Sequence, residues 1–271
     1  MTRQYPCIVV TPAGRKRYLQ VLLKNLEKQR SDFDRWHLWL NTNVPEDVAY
    51  IESLPALYDW IDVIRPKTPV TSVDSRNIHA FFEFAKEPRT VYIRLDDDIV
   101  YLDPECIKKL RDYRRQNPEP FLVYGNIVNN AIVSHIHQRN QRFQYPQKAG
   151  YNCMDPVGWS DPAYARTIHD AFLKDLELGV GTEAWTRSFS VWHLWDHERV
   201  SINCISWIGS DMPRVHEDEE QFLSVEYPRM KGRYNVILGD AICSHFAFYT
   251  QRKLMDTTNI LERYEKVLEE D

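Results

Sequence analysis

The sequence predicts an α/β fold: a Rossmann-type sandwich with a mostly parallel central sheet and helices on both faces. Two observations carry this. Short β-branched or apolar runs alternate with stretches whose apolar residues recur at helical spacing. The runs are also closed by Pro, Asn or Asp, residues that punctuate strands. Strands and helices alternating at this length build parallel sheets, because a parallel pair needs a helical crossover.

Cys7 to Thr11, between Pro6 and Pro12, is the first expected strand. Leu19, Leu22, Leu23 and Leu26 then place an amphipathic helix over 15–28. His37 to Asn41 is a second strand, Pro45-Glu46-Asp47 opens a short helix, and Asp62 to Arg65 is a third strand closed by Pro66. Ile78, Phe81, Phe82 and Ala85 predict a helix over 74–86, and Thr90 to Leu95 a fourth strand ending on Asp96-Asp97-Asp98. Asp103 is placed to cap the next helix, with Pro104 in its first turn. From Gly125 to Ser160 the chain is irregular and rich in Asn, Gln, Arg and aromatics, the composition of a loop-rich binding region. A helix follows Asp161-Pro162, strands are expected over 200–208 and 236–246, with Gly239 interrupting the second, and Ile260, Leu261, Tyr264, Val267 and Leu268 mark a closing helix. With no low-complexity linker or internal repeat, the expectation is one domain over 1–271.

Charge and composition exclude several classes. A net charge of −5 across 271 residues lacks the basic face that nucleic-acid binding requires. No run approaches the roughly 18 apolar residues of a membrane span, and the first residues lack a signal-peptide core. A cytoplasmic location is the resulting expectation. The five cysteines are scattered without a Cys-x-x-Cys pair and read as small buried hydrophobes.

Three consecutive aspartates at a strand end repel one another unless a cation neutralises them. Mg²⁺ or Mn²⁺ suits carboxylate oxygens and retains places for phosphates. Strand alternation would send Asp96 and Asp98 one way and Asp97 the other. Ligands of open α/β sheets bind beyond the carboxyl ends of the strands, which is where the three aspartates lie. An acidic turn entering a helix is the plain alternative.

Ser75-Arg76-Asn77, followed by Tyr92-Ile93-Arg94-Leu95-Asp96-Asp97-Asp98, resembles the GT-A-fold glycosyltransferases, especially family-2-type enzymes with an Asp-x-Asp motif. The resemblance implies that Asp98 ligates the metal, and that Asp96 contacts the nucleotide-sugar and can share the ion. Asp97 is left to either task, and Arg76 joins the donor site. It implies a nucleotide-sugar half over about 1–103 and an acceptor and catalytic half over about 104–271. The donor would be a nucleoside-diphosphate sugar, a UDP-sugar first, and the acceptor a glycan, lipid-linked or protein hydroxyl. Thr11 and Arg15 in the first strand-to-helix loop, and Asn41 ending the second strand, are candidates for holding the nucleotide; water-facing loop residues are the alternative. A base for an inverting transfer would come from the acidic cluster that precedes Gln221: Asp218 first, then Glu217 and Glu219. A solvated first helical turn explains the same acids. His245, near the end of a strand, could join the metal.

The expected activity is therefore metal-dependent sugar transfer. Two alternatives remain: a nucleotidyltransferase acting on sugar phosphates, and a non-catalytic carbohydrate- or nucleotide-binding module. Thr11-Pro12-Ala13-Gly14-Arg15 has one glycine, which counts against the glycine-rich loop usual in the first alternative.

Overall fold

The structure, a computed structural model, describes residues 5–66, 78–216 and 218–270. In chain order the elements are β1 (Cys7–Ala13), α1 (Lys16–Lys28), β2 (Arg35–Leu40), α2 (Pro45–Leu57), β3 (Ile61–Ile64), α3 (Ile78–Phe81), β4 (Val91–Leu95) and β5 (Ile99–Leu102). They continue with α4 (Cys106–Gln116), β6 (Val123–Val128), α5 (Ala131–Arg139), α6 (Pro162–Glu177), α7 (Glu183–Thr186), β7 (Val191–Leu194) and β8 (Cys204–Ile208). The last are α8 (Glu219–Gln221), α9 (Tyr227–Lys231), β9 (Asn235–His245), α10 (Tyr249–Met255) and α11 (Ile260–Glu270).

One nine-stranded sheet runs β3-β2-β1-β4-β8-β6-β9-β5, with β7 also paired to β9. β1, β2, β3 and β4 pair in parallel, β6 pairs in parallel with β9, and β5, β7 and β8 run against them. This is the α/β, mostly parallel architecture read from the sequence. The parallel half follows from α1 and α2, which carry the chain back between strands. In α1 the stripe Leu19, Leu22, Leu23 and Leu26 is buried, and burying a leucine contributes roughly 2 kcal/mol. Asp161 caps α6 by accepting from the Ala163 amide at 2.9 Å.

Several expected boundaries are corrected. The strand expected from Val200 begins at Cys204. The helix expected over 74–86 is seen as α3 and a 3₁₀ turn over Phe82–Phe84; its first residues, 74–77, lie outside the described residues. β5, β6, β7 and α5 were not anticipated; β5 and β6 are short and buried on both faces, so they carry no alternation to read. Gly239 sits inside β9 rather than breaking it: a Cβ there would come within 1.9 Å of the Phe189 carbonyl, so only glycine admits that close approach. All five cysteines are free and buried. Among the described residues no helix is long and apolar enough to cross a membrane.

Candidate functional site

The carboxyl ends of β1 and β4 open into a cleft of about 660 Å³, whose floor carries Gly14, Arg15, Asp96, Asp97, Asp98, His245 and Arg252. The aspartates do not follow strand alternation. β4 ends at Leu95, and the Ile99 amide donates to the Asp96 carbonyl at 3.1 Å, closing a turn over 96–99. A turn rotates successive side chains by less than a strand does, so Asp97 and Asp98 face the same cation while Asp96 parts from both. This corrects the expected pairing of Asp96 with Asp98.

Asp97 accepts from the Gly14 amide at 3.0 Å and from Arg15 Nε at 3.2 Å, and its other oxygen meets the Arg15 Nη2. The same guanidinium lies 3.2 Å from Asp98. Asp98 also accepts from Arg252 Nη2 at 2.7 Å and faces His245 Nε2 at 3.5 Å. The β5–β9 register sets His245 opposite Ile99, and the Phe246 amide donates to the Asp98 carbonyl at 2.9 Å. Burial alone would raise the Asp98 carboxyl, but Arg15, His245 and Arg252 outweigh it and hold it well below the usual carboxylate range. Asp96 is held instead by Arg94 Nη2 at 2.8 Å and Asn203 Nδ2 at 2.9 Å.

Of the residues expected at the metal, Asp98 and His245 are brought together, 3.5 Å apart, and Asp96 lines the same cleft. Asp96 faces other partners, Asp98 is already shared by two guanidinium groups, and among the described residues no three His, Cys, Asp or Glu side chains form a metal-ligating group.

The acidic cluster divides. Asp218 caps α8 and pairs with Arg199 Nη2 at 2.9 Å, its side chain 56% exposed. Glu220 takes the Arg199 Nε at 2.8 Å. Glu219 lines the cleft and makes no side-chain contact of these kinds with another described residue; burial holds its carboxyl above the usual range. Glu217, Ser75, Arg76 and Asn77 lie outside the described residues. Thr11 is buried and accepts from Trp36 Nε1 at 2.9 Å, away from the cleft lining. Asn41 does line it, and its Oδ1 is buried without a hydrogen-bond partner among the described residues. The Arg94 Nη1, also at the cleft, likewise has no hydrogen-bond partner among the described residues.

Sequence reasoning missed Arg252, Arg94 and Arg199. Arg94 was legible within the strand that ends on the aspartates. Arg252, on α10, carried no local signal.

No family model matches the chain, and no curated protein matches it. Among solved structures, the 4-diphosphocytidyl-2C-methyl-D-erythritol synthase of Anaerococcus prevotii is similar at 18% identity and a TM-score of 0.33, over 45% of this chain and 54% of the synthase. The chain thus spans about half the length of that protein. A CMP:2-keto-3-deoxy-manno-octonic acid synthetase complexed with CTP is similar at 10% identity and a TM-score of 0.48, over 96% of this chain and 99% of the synthetase. Both are named for cytidine-nucleotide products, and neither is a glycosyltransferase. The glycosyltransferase expectation, with its hexosyltransferase class and its UDP-sugar donor, is corrected on this finding. Likenesses this distant assign no activity of their own.

Proposed function

We propose that the cleft binds a nucleoside triphosphate and transfers its nucleotidyl group to an oxygen of a sugar-type acceptor. The observation that carries this is the convergence of Arg15 and Arg252 on Asp98 at the cleft floor. Forked guanidinium groups recognise phosphate oxygens as they recognise carboxylates, so a polyphosphate can engage the donors of Arg15 and Arg252 that Asp97 and Asp98 leave free while holding the two side chains in place. With one glycine, the loop after β1 supplies cationic charge rather than a run of free amides, and the Gly14 amide is already bonded to Asp97. That answers the objection raised by the missing glycine-rich loop.

The acceptor oxygen forms its bond to the α-phosphorus as the α–β P–O bond breaks, and pyrophosphate leaves with the electron pair. Arg15 and Arg252 offset the charge that gathers on it. Where the acceptor is a hydroxyl, Glu219, which lines the cleft, takes its proton. The Asn41 Oδ1 accepts from the nucleoside.

The test is a panel of nucleoside triphosphates and sugar phosphates or sugar acids, read by pyrophosphate release with and without Mg²⁺, alongside calorimetric binding. One triphosphate should bind and be consumed, and Arg15→Ala should weaken its binding about tenfold or more. Binding that survives Arg15→Ala unchanged, or consumption of a nucleotide-sugar with no pyrophosphate release from any triphosphate, would overturn the proposal.

A further inference from the structure

Downstream of the cleft, the segment 131–149 builds a second cavity, of about 640 Å³, between the latter part of α5 and the loop after it. Two bonds pin its shape: Gln138 accepts from the Ala149 amide at 2.9 Å and donates to the Gln147 carbonyl at 2.7 Å. His135 Nδ1 lies 2.8 Å from the Ala149 carbonyl, which braces the same loop. Gln141 is held at a φ of 59°, in the left-handed region that a non-glycine residue adopts only where its surroundings impose it.

The lining is unlike the rest of the surface. In a chain with more acids than bases, its charged residues are Arg139 and Lys148, with no Asp or Glu among them. Neither cation has a side-chain hydrogen bond or ion pair with a described residue, and the side chains of Gln141 and Gln144 are equally unengaged. Tyr145 is fixed rather than free: its hydroxyl donates to Asp161 at 2.7 Å and its ring packs edge-on against Tyr164. Two unpaired cations, two unengaged amides and one immobilised ring are the complement of a hydroxylated ring that bears an anionic group. The amides match hydroxyls as both donors and acceptors, the ring face covers C–H surface, and the cations hold phosphate or carboxylate.

We infer that this cavity is a second binding site, for an anionic sugar, distinct from the cleft. The inference stands apart from the activity proposed for the cleft. A physical link does exist: α5 is capped by Asn130, which donates to the Ser201 carbonyl at 3.1 Å and to Asn203 at 3.3 Å, both residues of the cleft wall. Its nine residues carry the chain roughly 13 Å from that wall to the cavity.

Titration calorimetry with glucose 6-phosphate, trigalacturonate and glucose separates the cases. The two anionic probes should bind and glucose should bind at least tenfold more weakly. A double variant, Arg139→Gln with Lys148→Gln, should lose about tenfold or more for the anionic probes while keeping the parent melting temperature, since both residues are exposed. Arg15→Ala should leave this binding intact. Tighter binding of trigalacturonate would identify a glycan chain as the source of the anionic ring, and equal binding a free sugar phosphate. Binding that the double variant retains, binding lost instead in Arg15→Ala, or no binding of either anionic probe at millimolar concentration would each overturn the inference.

Discussion

Arg252 reaches from α10 to donate its Nη2 to Asp98 at 2.7 Å, a bond between residues 154 positions apart. That contact converts an acidic turn into an ion cluster. Asp98 is 1% exposed, and burying such a charge is costly unless several partners compensate it. Arg15, Arg252 and His245 do so from the loop after β1, from α10 and from the end of β9. The floor of the cleft is therefore also a tie between the two ends of the chain.

Removing that tie should cost stability before it reveals chemistry. Asp98→Asn leaves Arg15 and Arg252 crowded together without their shared anion, and a loss of about 3 kcal/mol is expected. Asp218→Asn, at an exposed pair with Arg199, should stay within about 1 kcal/mol. Urea unfolding of both variants checks the contrast. Equal losses would mean that the cluster contributes nothing special.

Within the acidic cluster, Glu219 should carry the proton transfer and Asp218 should not. Glu219→Gln is expected to lower turnover about a hundredfold, while Asp218→Asn changes it only a few-fold. Because burial raises the Glu219 carboxyl, the acid limb of the pH–rate profile should lie above that of an ordinary glutamate and vanish in Glu219→Gln. A profile that is unchanged in that variant would assign the limb to another group.

Stability should fall on mild acidification for a reason unrelated to the cleft. His137 and His169 are buried, and burial lowers both from 6.5 to about 3. The folded state therefore favours the neutral ring, and the unfolded chain binds the proton first. Their contribution is present above pH 6.5 and is lost as pH falls from there toward 3. Between pH 7.5 and 5.5 each should cost about 1.4 kcal/mol. Unfolding curves at the two values test this, and His137→Gln should remove about half of the difference. A stability that is flat over that range would show that neither ring is neutral for the reason given.

The elements that could be read from residues alone are those whose physics is local. The leucine stripe of α1, the Asp161-Pro162 start of α6 and the apolar face of α11 each sit where spacing and capping put them. β5 and β6 escaped because strands buried on both faces present four to six buried residues with no period. The aspartates were found for the right reason, their place at the end of β4, but alternation was carried one turn too far. The bond from Ile99 to Asp96 ends the strand and reorients the side chains.

What the sequence by itself determined is the α/β alternation and the presence of three carboxylates at the carboxyl end of a buried strand. These depend on hydrophobic period and on turn chemistry, both properties of neighbours in the chain. Which charge each carboxylate meets was decided only by tertiary structure: Asp97 by Arg15, Asp98 by Arg15, Arg252 and His245, Asp96 by Arg94 and Asn203. Except for Arg94, those partners come from elements far apart in sequence. Coulomb interaction depends on distance in space, and chain packing alone sets that distance.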